Sequence, residues 1–311
     1  MGRYCIKKLL QGLLMIFTVS VLVFLMLHMM PGDPVDLMMD RKVDASKKEA
    51  MRVQYGFDKP LPEQYFNWLG GILHGDFGTS IRMRQPVSKL FQARIPVTLE
   101  LCGIAMLLEL VIAVPLGLLS AYKKDSLFDR IVMSLSLFFA AIPSFWTAVM
   151  LILIFGVTLK WLPISGFGSP SNYVLPIAAM VMGWTASSIR MTKTEVLDVL
   201  REKYVLTAYA KGLPHRSVMV RHVLRNALIL VTVVVFMSIP WLIGGAVIIE
   251  NIFVIPGMGS LLTQAILNQD FAVVQACVLL IAVLTVICNL MSDIITAILD
   301  PRIRASMGGG E

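Results

Sequence analysis

The feature that most limits this chain is an apolar run, Leu9 to Met30, which holds no Lys, Arg, Asp or Glu and follows directly on Arg3, Lys7 and Lys8. Crossing about 30 Å of hydrocarbon at about 1.5 Å per residue takes roughly 20 apolar residues in a helix, so the run can span a bilayer. It is longer than the roughly 7–15 apolar residues of a secretory signal, and no small-residue cleavage site precedes Pro31-Gly32-Asp33-Pro34. A retained first span is expected. Five more stretches come near the same length: Val97 to Leu119, Ile131 to Leu159, Tyr173 to Ile189, Leu228 to Ile249 and Ala272 to Leu299. Pro143 is expected to kink the third. The fourth is short and carries Pro176, so it must extend into polar residues or be shielded by neighbours. Composition agrees: 57% of the residues are hydrophobic, 15% are charged, and the mean hydropathy is +0.77. A soluble domain is about 25% charged. The fold class is therefore an all-α integral membrane protein with about six transmembrane helices, and an ordinary soluble enzyme is excluded.

The formal charge of +7 reads as an orientation signal and not as a nucleic-acid signature. With the N-terminus inside, 16 basic residues fall in cytoplasmic segments, eight of them between Arg190 and Arg225, while the opposite short loops hold only Lys160. Both termini are expected in the cytoplasm. The domain layout follows: 1–30 as first span, 31–96 as an extracytoplasmic segment, 97–299 as a five-helix unit with a cytoplasmic loop 190–227, and 300–311 as a tail. Within 31–96, Pro62 to Leu69 reads as an amphipathic helix that puts Tyr65, Trp68 and Leu69 on one face.

Catalytic motifs are missing: there is no GxSxG, HExxH or P-loop, and His28, His74, His215 and His222 are scattered. The four cysteines have no zinc-like or paired spacing, and the 20 methionines fit flexible apolar packing better than soft-metal ligation. Three carboxylates fall within spans. Glu109 is mid-span, where it could line a translocation path or be packed and hydrogen-bonded between helices; Glu100 and Asp293 lie near span ends. In the loop, Tyr204-Val-Leu-Thr-Ala-Tyr-Ala-Lys-Gly-Leu213 sets Ala208 and Gly212 four apart, and Gly212 can take the positive φ that ends a helix. Such a notch suits docking against another protein, or folding back on the chain's own bundle.

At these residues the chain resembles the membrane subunit of type-1 ABC importers, whose loop carries Glu-Ala-Ala, three residues, Gly, nine residues, Ile-x-Leu-Pro. Anchored on Gly212, the second Ala falls on Ala208; Leu206 and Thr207 stand for Glu-Ala, His222 for Ile and Arg225 for Pro. This loosened form is similar to the dipeptide, oligopeptide and nickel permease family. So are Pro31-Gly-Asp-Pro34, Tyr55-Gly-Phe-Asp-Lys-Pro-Leu61, Gly75-Asp-Phe-Gly-Thr-Ser80, Thr98-Leu-Glu-Leu101, Glu250-Asn-Ile-Phe253 with Pro256-Gly-Met-Gly259, and Asp300-Pro-Arg-Ile-Arg304.

The resemblance implies a type-1 ABC importer permease fold in a bacterial inner membrane. It implies a homologous second permease subunit, two ABC ATPase subunits that bind ATP and Mg, and an extracytoplasmic substrate-binding protein; this chain itself would carry no cofactor or metal. ATPase coupling would fall to Tyr204, Ala208, Ala210, Gly212 and Leu213. An outer gate or binding-protein contact would fall to Glu250, Asn251, Pro256, Gly257 and Gly259, and a path position to Glu109. The cargo would be nickel, a metal chelate, or di- or oligopeptides, with the short connection Leu162 to Asn172 resembling nickel-type members. Two other classes stay open: a proton-coupled secondary transporter, motivated by Glu109 and Asp293, and a non-transporting receptor or scaffold built on 31–96.

Overall fold

The structure, a computed structural model, describes residues 2–28, 45–54, 58–214, 217–224, 239, 244 and 246–299. Most of the expected fifth span, the Pro31–Pro34 turn, Tyr55 to Phe57 and the tail lie outside the described residues. The first helix, α1 (Gly2–His28), leaves Leu10, Leu14 and Leu22 more than half exposed, a lipid-facing stripe no aqueous protein would tolerate at this length. A short helix α2 (Ala45–Gln54) and then α3 (Leu61–Leu73) follow. The amphipathic face expected around Pro62 to Leu69 docks on α1: the Tyr65 hydroxyl meets Ser20 Oγ at 2.8 Å, and its ring lies edge-on to Phe24 with centroids 5.4 Å apart. Aromatic pairs of this kind add about 0.5–1.5 kcal/mol beyond their buried area.

The centre of the fold is the crossing of α4 (Val87–Tyr122) with α7 (Pro170–Leu200). Gly117 allows it, since a Cβ there would come 2.6 Å from Thr192 Cβ and 2.8 Å from the Ile189 carbonyl oxygen. Both helices run through internal prolines, Pro96 and Pro115 in α4 and Pro176 in α7, as tightly packed membrane helices can. Residues 96 and 97, proposed as a segment border, lie inside α4, and the short fourth span extends through polar residues to Leu200.

The third span is not merely kinked. It consists of α5 (Leu127–Ala141) and α6 (Ser144–Leu151) with its π-helical continuation Ile152–Thr158, bent by 97° at Pro143. Pro143 has no N–H to continue the helix, and the residue before it, Ile142, takes ψ 124, away from helical geometry. After α7 come α8 (Lys203–Ala210), a π-helical turn Val218–Leu224, a helical stretch 246–252, α9 (Met258–Leu267) and α10 (Phe271–Leu299). Helix α10 packs on α1, where Lys8 Nζ lies 2.9 Å from Asp293 Oδ2. Four described helices are long and apolar enough to cross a membrane, and the bent pair makes a fifth.

Candidate functional site

One end of the molecule is an elbow between α7 and α8. The Glu202 backbone, with ψ 141, breaks the helix after Arg201 and turns the chain into α8. The far end of α8 closes in a Schellman arrangement: Gly212 N–H donates to the Tyr209 carbonyl at 2.9 Å and Leu213 N–H to the Ala208 carbonyl at 3.3 Å, with Gly212 at φ +76°. The glycine expected to end this helix therefore does so, in the left-handed region that disfavours other residues.

The helix is anchored by one face and open on the other. Val205 is fully buried and Ala208 nearly so, packed with Ala121, Val196, Val199 and Val218. Ala208 is thus a tight-packing position inside the chain, not a docking contact, because its small side chain is what lets α8 lie close to α7 and the π-helical turn. Tyr204, Leu206 and Leu213 are 42%, 59% and 38% exposed. Ala210, Gly212, Lys203 and Lys211 are also exposed, and a Cβ on Gly212 would meet no atom within 4 Å. Burial pushes the Tyr209 phenol above its ordinary value, with Tyr122 adding to the effect. A buried strut stands beside the elbow. Lys193 Nζ of α7 lies 2.6 Å from Asp129 Oδ1 of α5, while Asp129 Oδ2 accepts from Asp125 N–H at 3.0 Å.

The opposite end holds the residues expected to form an outer gate or a binding-protein contact, and three of the five are buried. Glu250 is fully buried. Its carboxylate accepts from Thr98 Oγ1 at 2.6 Å and from Ser260 N–H at 2.9 Å, while Thr98 Oγ1 itself accepts from Met258 N–H at 2.8 Å. Gly257 presses on that carboxylate so closely that a Cβ would overlap Glu250 Oε1, and Gly259 is equally closed off by Val247 and Glu250. Glu250, Gly257 and Gly259 are thus buried away from any direct binding-protein contact: a carboxylate this deep needs donors, and the loop supplies them by folding over it. Asn251 is exposed, donating to the Val247 carbonyl at 2.7 Å and to Thr263 Oγ1 at 2.9 Å; Pro256 is half-buried and Val254, at 68% exposure, forms the tip. A second staple lies nearby, where Asp270, 2% exposed, accepts from Ser80 Oγ at 2.5 Å and from Arg82 N–H at 3.2 Å.

Glu109 takes the packed option of the two left open, nearly buried on α4 and accepting from Ser188 Oγ of α7 at 2.5 Å. It is not among the residues that line the cavities of about 910 and 240 Å³ along this crossing. Between α4 and α7 towards the Glu250 end opens a cavity of about 910 Å³, with Glu100 and Tyr173 in its wall. Among the described residues no group of three or more His, Cys, Asp or Glu is placed to hold a metal ion. Thr98, Lys193, Ser188 and Asp270 were not singled out as site residues. Their roles depend on partners far along the chain, 152 residues away for Thr98 and 190 for the Ser80–Asp270 pair.

Known proteins match this sequence along nearly its whole length. Residues 113–305 match the family described as binding-protein-dependent transport system inner membrane component, and 1–102 match the N-terminal model of the same transport-system membrane component. The oligopeptide transport system permease protein AppB of Bacillus subtilis is 38% identical over 97% of this chain and 99% of its own length. The glutathione transport system permease protein GsiC of Pectobacterium atrosepticum is 37% identical over 98% and 99%. A crystal structure of an amino acid ABC transporter with histidines covers 70% of this chain and 94% of that chain at 16% identity, with a TM-score of 0.48. The full-length matches make the chain a member of the binding-protein-dependent inner-membrane component family: a multi-pass permease subunit of an ABC importer and not an enzyme, with ATP hydrolysis in separate subunits.

Proposed function

We propose that this chain is the permease subunit of a peptide importer, in which α8 is the cytoplasmic coupling helix and the Glu250 end faces outward. The observation that carries the coupling role is that α8 buries Val205 and Ala208 while leaving apolar Tyr204 and Leu206 on its flanks and Leu213 just past its end exposed, beside Lys203 and Lys211. A short helix that is held on one side and projects exposed apolar side chains and cations elsewhere, next to the end of α7, suits capture by a groove on another protein. The exposed Tyr204, Ala210, Gly212 and Leu213 touch the ATPase in this reading, while Ala208 sets the height of α8.

The remaining layout goes with it: six spans with both termini inside, residues 1–30 as first span, 31–96 outside, 97–299 as the transporting unit and 300–311 as tail. A second, homologous permease subunit, two ATPases and a binding protein complete the machine. The binding protein meets the outer loop through Asn251, Val254 and Pro256, the residues that project from it. Nickel is not favoured as cargo, since the relatives named above carry peptide-type cargoes in their names. A proton-coupled transporter is not favoured either, because Glu109 is held by Ser188.

The test is uptake by the complete complex in proteoliposomes, offered tri-alanine or a nickel chelate with ATP inside. Tri-alanine uptake that requires ATP supports the reading, and uptake of the chelate alone overturns the cargo. Within the same system, Gly212→Glu abolishes uptake while Gly212→Asn, which tolerates the left-handed backbone, retains most of it. Equal uptake by both variants removes α8 from coupling.

A further inference from the structure

Resting on the peptide reading above, we infer that the groove between α4 and α7 receives the protonated terminal amine of a peptide at Glu100, with Tyr173 holding the carboxylate. The cavity of about 910 Å³ is within the range that encloses small ligands. Its walls are mostly apolar, including Ile104, Leu108, Ile177 and Val181, and Glu100 is the one charged side chain among the described residues that line it. The Tyr173 hydroxyl donates to Glu100 Oε2 at 3.2 Å, which leaves Oε1 to accept from an incoming donor. At the exposed mouth of this groove the carboxylate attracts an ammonium group and repels an anion.

The groove continues past this mouth. A second cavity of about 240 Å³ shares Ile112, Val181 and Met182 with the first and includes Thr185 in its lining. Thr185 is 7% exposed, and its Oγ1 has no hydrogen-bond partner among the described residues. Buried hydroxyls are normally satisfied, so this one is suited to a peptide group lying along the groove. One end of the groove therefore carries a fixed negative charge and its interior an unused hydroxyl, which matches a chain with a cationic head and polar amides behind it.

The test places a chosen charge at position 100 in the complete complex. In a variant with Cys5, Cys102, Cys277 and Cys288 replaced by serine, Glu100→Cys is left unmodified, or converted with a sulfonatoethyl or a trimethylammonioethyl methanethiosulfonate reagent. The binding protein is the same in every arm, so differences belong to this chain. We expect the KM for tri-alanine uptake to rise about fivefold in Glu100→Cys, as an exposed charge pair warrants, with kcat unchanged. The sulfonate should restore it to within about twofold, and the ammonium should not. Equal KM values for the two modified forms overturn the site while leaving peptide transport intact. A complex that imports the nickel chelate and no peptide overturns both.

Discussion

Glu250 shows how much a single side chain can organise. Its carboxylate gathers Thr98 Oγ1 and Ser260 N–H, and through Thr98 it also fixes Met258 N–H, so one charge staples α4 to the start of α9. Hydrogen bonds to a buried charge are each worth about 1.5–3 kcal/mol, and leaving the charge unpaired costs at least as much. Thr98→Val should therefore lower stability by about 2 kcal/mol, seen as a lower melting temperature of the detergent-solubilised complex. Gly257→Ala should be worse, because its methyl would displace the carboxylate itself, whereas Asn251→Ala, on the exposed side of the same loop, should leave the melting temperature within about 1 °C. A Gly257→Ala protein as stable as the native one would contradict the packing described. From sequence, Glu250 and the glycines were visible as a block, but not their direction. An acid at the end of a span looks like an outward-facing group until its donor is known, and that donor lies 152 residues earlier.

At the scale of elements, α8 was legible in outline and not in orientation. The helix-prone stretch, the turn at Gly212 and its positive φ were all readable from residue types. Which face turned inward was not, since Tyr204, Val205, Leu206 and Ala208 offer apolar groups in several directions. The decision is made by the valines of α7 and of the Val218–Leu224 turn, which take in Val205 and Ala208, with Tyr209 partly buried at the edge. This separates two mutations one residue apart. Val205→Asp buries an unpaired charge and should unfold the elbow, lowering the yield of assembled complex. Leu206→Asp, on the open face, should leave folding and membrane insertion unchanged and reduce binding-protein-stimulated ATP hydrolysis by tenfold or more, about 1.4 kcal/mol of docking. Loss of assembly in both variants would mean that the open face is not open. The bend at Pro143 was partly legible too: a proline in a span announces a disturbance, but the 97° between α5 and α6 is set by the packing of both pieces on α7.

For the whole molecule, the hydropathy pattern told most of what could be told. Composition and run length foresaw an all-helical membrane protein, and five of the six expected spans coincide with described apolar helices or the bent pair. What composition could not reveal is how far the segment 31–96 is built into the bundle: α3 packs its Tyr65 on α1, and Ser80 is tied to Asp270 at the start of α10. Orientation remains a prediction with a direct check. In a cysteine-free background, His74→Cys should react with a membrane-impermeant maleimide added to whole cells after outer-membrane permeabilisation, and Lys211→Cys only after the inner membrane is opened. Both positions are exposed, so accessibility within the protein does not limit either. The reverse pattern would invert the topology.

Helix α7 joins the two ends of this design. Its 31 residues, from Pro170 to Leu200, correspond to about 46 Å at about 1.5 Å per residue. One tip carries the elbow; the other, with Pro170 and Tyr173, borders the large cavity. Packing holds this rod along both arms: Gly117 meets it at Thr192 near the elbow, and beside the cavity its Leu175, Ala179 and Met180 are buried in one cluster with Leu101 and Ala105 of α4. Neither tip is free to swing alone, so any displacement at the elbow end would have to carry the α4–α7 seam, and with it the wall of the cavity.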